Sequence, residues 1–146
     1  MLRKDFIKKK TSLIQEDLGR LLVFKDFTLE EIASDFFKYN TLERLLEKII
    51  MRAVDINQHI IGELADEGTL APTNYRETFK EIAKFEIYPE EFGKKISLSV
   101  GTRNILVHDY DDEGTDYEKI YHSVGDCLKE YHKYCEYILK FLEKNG

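Results

Sequence analysis

The sequence predicts an all-α protein, an up-and-down bundle of about five helices in a single domain spanning residues 1–146. Apolar residues recur at three- and four-residue steps along most of the chain, and no segment shows the alternation of a strand. Two Thr-x-x-Glu patterns, at Thr28–Glu31 and Thr115–Glu118, restart the chain as helix. The loops between the periodic segments are short, so successive helices should run antiparallel.

Phe6, Leu13, Ile14, Leu18, Leu21 and Leu22 lay out a first helix from about residue 2 to 25. After the Thr28 box, Ile32, Phe36, Leu42, Leu46, Ile49, Ala53, Ile60 and Leu64 carry an apolar stripe to about residue 66. That span is long for a globular helix, and a break is expected near Tyr39-Asn40. Gly68, Pro72 and Asn74 mark a loop, followed by a short third helix through Tyr75, Phe79, Ile82 and Ala83. The fourth helix should begin at Pro89, which suits the first helical position, gain from Glu90 and Glu91 at its positive end, and run to about Asp109. Gly93 and Gly101 inside it each cost roughly 1 kcal/mol against alanine, which implies that another backbone comes close. Asp111-Asp112-Glu113-Gly114 reads as a turn, and the Thr115 box opens a last helix through Ile120, Val124, Leu128, Tyr131, Cys135, Ile138 and Leu142.

At 146 residues the chain can bury a real core. Its net charge of −6 argues against a general nucleic-acid coat but leaves room for a local basic patch. Cys127 and Cys135 would lie about 12 Å apart along one helix, too far for a disulfide. Two such thiols, an N-terminus without an apolar signal region and no membrane-length apolar run predict a cytoplasmic protein that does not meet the membrane.

Chemistry concentrates in Arg103-Asn104-Ile105-Leu106-Val107-His108-Asp109-Tyr110. A guanidinium holds phosphate as a fork, and an imidazole moves protons near neutrality. On a helix, Asn104 and His108 stand one turn apart, while Arg103, Val107 and Tyr110 follow a second stripe roughly 100° to 140° away. One convex surface would scatter Arg103 and His108, whereas two copies of this helix meeting at a two-fold axis would gather two of each, so a homodimer is expected. His108 suits the general base or acid at a ribose 2′-hydroxyl or a leaving 5′-oxygen, Arg103 suits charge on the phosphorane, and Asn104 suits orientation. Only RNA offers the 2′-hydroxyl for internal attack. No metal or cofactor is called for. Set against this, Arg and His near a helix C-terminus also favour the macrodipole and need no function.

The pattern Arg-x4-His-x-Tyr resembles the signature of HEPN-domain proteins of the HepT type, the toxin half of HepT–MntA toxin–antitoxin modules. Three segments carry the resemblance in the family's order: Ala53-Val54-Asp55-Ile56 with His59-Ile60-Ile61, then Pro72-Thr73-Asn74-Tyr75-Arg76, then Arg103–Tyr110 closing the fourth helix. It implies a HEPN-like bundle, a dimer, RNA cleavage, and silencing when a nucleotidyltransferase antitoxin transfers AMP to Tyr110. The acidic balance is unusual for an RNA-binding member.

Two readings stand beside a toxin ribonuclease: a non-catalytic helical partner or AMP acceptor of a nucleotidyltransferase, and a plain interaction bundle. Asp55 and His59 have metal-ligand spacing, but two ligands make no site, and a structural role is expected. His122 and His132 are expected on the surface, and Lys8-Lys9-Lys10 on a solvated helix face.

Overall fold

A computed structural model describes residues 1–69, 71–108 and 117–145, with side chains described except at 105–108. Every element among them is helical. Helix α1 spans Lys4–Leu22 and tightens into a 3₁₀ turn over Val23–Asp26. The Thr28 box forms as predicted: Glu31 N donates to Thr28 Oγ1 at 3.1 Å, and Thr28 N donates to Glu31 Oε1 at 3.3 Å. The helix it opens, α2, is only Leu29–Ala33. The break falls at Ser34-Asp35 rather than Tyr39-Asn40, because Asp35 caps the next helix by accepting from the Phe37 and Lys38 amides at 2.9 and 3.1 Å.

Helix α3, Phe36–Leu64, is the spine. Leu42, Leu46, Ile49, Ala53, Ile56 and Ile60 are all fully buried along it, against α1 on one side and α4, α6 and α7 on others. Its β-branched residues lose up to roughly 0.7 kcal/mol each in helix propensity. Burial of each returns roughly 1.5–3 kcal/mol, so packing decides the helix. A buried carboxylate on α1 adds a directional tie. Asp17 accepts from Arg20 Nη1 at 2.8 Å and from Arg52 Nη1 of α3 at 2.5 Å. Losing one partner of such a pair costs about 3–5 kcal/mol.

Asn74 caps α4, Tyr75–Glu81, through Glu77 N at 3.0 Å. A 3₁₀ turn over Ile82–Phe85 follows and ends at Glu86, whose φ of 62° is left-handed. The predicted fourth helix is two helices, α5 at Glu90–Ser97 and α6 at Ser99–His108, with Pro89 as the cap of α5 rather than its first residue. The split at Leu98 has a local cause. Ser97 and Ser99 turn their hydroxyls back onto the Lys94 and Ile96 carbonyls at 2.6 and 2.7 Å, and the Leu98 amide bonds three residues back instead of four. Gly93 meets the predicted close backbone: an added Cβ would lie 3.0 Å from the Phe79 carbonyl oxygen and 3.1 Å from the Tyr88 ring. Helix α7, Tyr117–Lys144, closes the bundle. The Asp111–Gly114 turn and the Thr115 end of the second capping box lie outside the described residues.

On α7, buried Glu130 lines a cavity of about 190 Å³ with Asp126, Lys95, Ser99 and Thr102. Burial first, and then Asp126, lifts its carboxyl from 4.5 to about 7, against the pull of Lys95 and Lys129. A raised acid favours the folded state in its protonated form. That contribution is complete below about 4.5 and is lost as pH rises through about 7. Glu130→Gln should therefore melt above the parent at pH 8, with the difference shrinking as pH falls toward 4.5. Melting curves with a constant difference across that range would contradict the assignment.

Candidate functional site

The site is built on α6, and three neighbours set where α6 lies. Its first residue, Ser99, shares a 2.6 Å hydrogen bond with the Tyr131 hydroxyl of α7. Burial holds that phenol protonated by raising it well above its usual range, so it serves as a steady donor. Beneath α6, α3 supplies the apolar floor. On the third side stands the first turn of α4, and its position is fixed from inside the core. Asn57 of α3, fully buried, donates to Thr78 Oγ1 at 3.1 Å and accepts from the Tyr134 hydroxyl at 2.6 Å. Thr78 Oγ1 in turn donates to the Tyr75 carbonyl at 2.6 Å. Every polar atom in this chain of contacts has a partner, as a buried network requires.

Arg103 meets that first turn. Its guanidinium carbon lies 5.3 Å from the centre of the Tyr75 ring, a cation–π contact worth about 0.5–2 kcal/mol depending on solvent. The side chain is half-buried, and its Nε is buried with no hydrogen-bond partner among the described residues. A buried donor left without a partner costs about 1–3 kcal/mol. A guanidinium steadied over a ring can still present its fork to a phosphate oxygen. Asn104, the next residue, is exposed.

The structure thus places Arg103 and Asn104 side by side near the end of α6 and position 108 as that helix's last residue. On a regular helix positions 103 and 108 differ by about 140° around the axis. The His108 side chain and all of Tyr110 lie outside the described residues. Gly101 departs from expectation. What comes close is not a backbone but the Arg76 guanidinium, whose Nη2 would stand 3.1 Å from an added Cβ. Tyr75 and Arg76 entered the sequence reading only as part of a family-like segment. Their contacts with α6 are tertiary, and the glycine at 101 was the one local sign of them.

The secondary candidates are structural. Asp55 accepts from Lys10 Nζ at 3.0 Å, and His59 Nε2 accepts from the Arg3 amide at 2.9 Å while its ring packs 5.3 Å from Phe6. Both tie α1 to α3. His122 and His132 are exposed beside Glu118 and Glu136 of their own helix. Lys8 and Lys9 are exposed as expected, and Lys10 is the one engaged with Asp55. Cys127 and Cys135 are free and buried, with burial pushing the Cys135 thiol up to about 12. Among the described residues no three His, Cys, Asp or Glu side chains gather to hold a metal, and no helix is long and apolar enough to cross a membrane.

Comparison with known proteins gives this arrangement a context. Residues 14–138 match the family described as Ribonuclease HepT-like. The tRNA nuclease HepT of Aphanizomenon flos-aquae (strain 2012/KM1/D3) is 35% identical over 136 residues, covering 93% of this chain and 89% of that protein. Two solved structures share the fold at lower identity. A tri-AMPylated Shewanella oneidensis HEPN toxin in complex with an MNT antitoxin superposes with a TM-score of 0.78 at 22% identity, covering 93% of this chain and 98% of that one. The cytosolic protein YutE of Bacillus subtilis, of unknown function, reaches 0.79 at 16% identity, covering 99% and 93%. The extent of the family match and the identity of the nuclease relative show that the chain belongs to the HepT-like ribonuclease family, an endoribonuclease by class.

Proposed function

We propose that this protein is the toxin ribonuclease of a toxin–antitoxin module, cleaving RNA by a metal-independent route in the cytoplasm at a site carried by Arg103, Asn104 and His108. The observation that supports it most is the Arg103 guanidinium, laid on Tyr75 with a buried Nε and no acceptor among the described residues. The relative 35% identical is named a tRNA nuclease, which makes tRNA the substrate class to assay first.

In this reading His108 removes the proton from a ribose 2′-hydroxyl. The freed oxygen attacks the adjacent phosphorus, and the bond to the 5′-oxygen breaks as that oxygen takes up a proton. The products are a 2′,3′-cyclic phosphate and a 5′-hydroxyl. Arg103 neutralises charge on the non-bridging oxygens, and Asn104 orients the phosphate or the imidazole. A homodimer pairing α6 across a two-fold axis would bring the two stripes of the motif together. Leu98, two-thirds exposed at the start of α6, is an apolar side chain that such a pairing would cover.

His108→Ala should lose about 10²–10⁴ in the rate of tRNA cleavage with its helical content unchanged. Arg103→Lys should lose most activity, because lysine keeps the charge but not the planar fork. Chelator should leave the parent rate unaltered. Cleavage by purified His108→Ala at the parental rate, or strict dependence on a divalent ion, would refute the mechanism.

Control is assigned to Tyr110. A nucleotidyltransferase antitoxin would let the phenol oxygen attack the α-phosphorus of ATP, with pyrophosphate leaving and AMP remaining on the tyrosine. The added phosphodiester carries negative charge seven residues along the chain from position 103 and competes with RNA for the guanidinium. Incubation with the cognate transferase, ATP and Mg²⁺ should raise the intact mass by about 329 Da per AMP while cleavage falls, the added group being a phosphate-bearing modification. Tyr110→Phe should keep cleavage and resist silencing. The same mass gain on Tyr110→Phe would refute this site of control. AMP addition to a parent protein that cleaves no RNA would instead favour the non-catalytic acceptor.

A further inference from the structure

Helical geometry leaves one difficulty in this site. Arg103 and position 108 face directions about 140° apart, so Arg103 of the same chain puts no guanidinium on the side where the imidazole-bearing position lies. The contact at Gly101 supplies one. Positions 101, 104 and 108 fall within about 60° of one another around α6. The Arg76 guanidinium reaches from α4 onto that same stripe, its Nη2 3.1 Å from where a Gly101 Cβ would be. Any side chain at 101 would crowd it. Arg76 is exposed and pairs with no carboxylate among the described residues. In a chain with 28 acidic against 22 basic residues, two arginines around α6 that pair with no carboxylate among the described residues are not explained by charge pairing there. Adjacent residues of one helical turn therefore manage both guanidinium groups: Tyr75 supports Arg103, and Arg76 contributes its own.

We infer that Arg76 is a phosphate-binding residue of the RNA site, passing over Gly101 onto the face of α6 that carries Asn104 and position 108. It rests on the ribonuclease reading for the identity of the ligand, and it adds an in-chain anchor for a phosphate neighbouring the scissile one. Arg103 and Arg76 then grip successive parts of the backbone from the two sides of α6. The glycine at 101 leaves room for the guanidinium, which a Cβ there would push aside by a few tenths of an ångström.

The test uses fluorescently labelled tRNA and the full chain, with Kd measured by anisotropy over a range of salt in a His108→Ala background common to all arms. Arg76→Ala should weaken binding about tenfold and flatten the dependence of log Kd on log salt by about 0.7, the share of one phosphate contact to single-stranded RNA. Arg76→Lys should restore the slope but not the full affinity, since it keeps the charge and loses the fork. Gly101→Ala should weaken binding with no fall in melting temperature, because alanine is the better helix former. In the chain with His108 intact, Arg76→Ala should raise KM more than it lowers kcat. Unchanged Kd and slope in Arg76→Ala would overturn the inference, and so would weakened binding with a lowered melting temperature and an unchanged slope. Failure of the parent to cleave tRNA would count against the ribonuclease reading alone, while the binding arm still decides Arg76. A parent that does not bind tRNA at all would remove both.

Discussion

Asn57 joins three helices through its two amide ends, and the placement of the site follows from that. Its Nδ2 reaches Thr78 on α4 and its Oδ1 receives the Tyr134 hydroxyl from α7, all within the buried core. Apolar contacts tolerate sliding by an ångström or more, but hydrogen bonds near 2.6–3.1 Å do not. α4 is only seven residues long and would hold its own orientation poorly. The Thr78 hydroxyl passes the constraint to the Tyr75 carbonyl, and the Tyr75 ring passes it to Arg103. Tyr88 secures the other end of α4 by donating to the Phe79 carbonyl at 2.5 Å, where Gly93 lets α5 approach.

Much of this was legible in the residues. The helical period located every long helix, because α1, α3 and α7 each carry an apolar stripe that repeats over several turns. The Thr28 box was legible because both of its bonds are local. Its neighbour at Asp35 was passed over for a break four residues later, since an apolar stripe continues straight through the Asp35 cap. The split at Leu98 was not legible, because a serine inside a helical pattern bonds either to solvent or back to its own helix, and only packing against Tyr131 decides. The motif on α6 could be read because its members share one element. Tyr75 and Arg76 could not, because their partnership with Gly101 and Arg103 is made by tertiary contact.

The charge distribution is consistent with a site that is selective for where RNA lands. The cavity on the α7 side of α6 is lined by Asp126 and Glu130 together with Lys95, and Thr102 borders it, so it offers phosphate no net positive charge. The first turn of α4 brings Arg76 to one side of α6 and Tyr75 to Arg103 on the other, and neither arginine has a carboxylate partner among the described residues. In the proposed reading a net charge of −6 weakens non-specific binding, and the two local guanidinium groups would hold the backbone at one place. The acidic balance, at odds with RNA binding when counted over the chain, is compatible with it when located.

The most direct measurement of the central claim, that a buried network sets the geometry of the site, is tRNA cleavage by Thr78→Val well below its melting temperature. Valine keeps the shape of threonine but breaks the link between Asn57 and the Tyr75 carbonyl, leaving the Asn57 amide without its acceptor. The account predicts a loss of about 1–3 kcal/mol in stability, together with slower cleavage in protein that remains fully folded. Parental cleavage by folded Thr78→Val would show that Arg103 finds its position without the network, and would contradict the account.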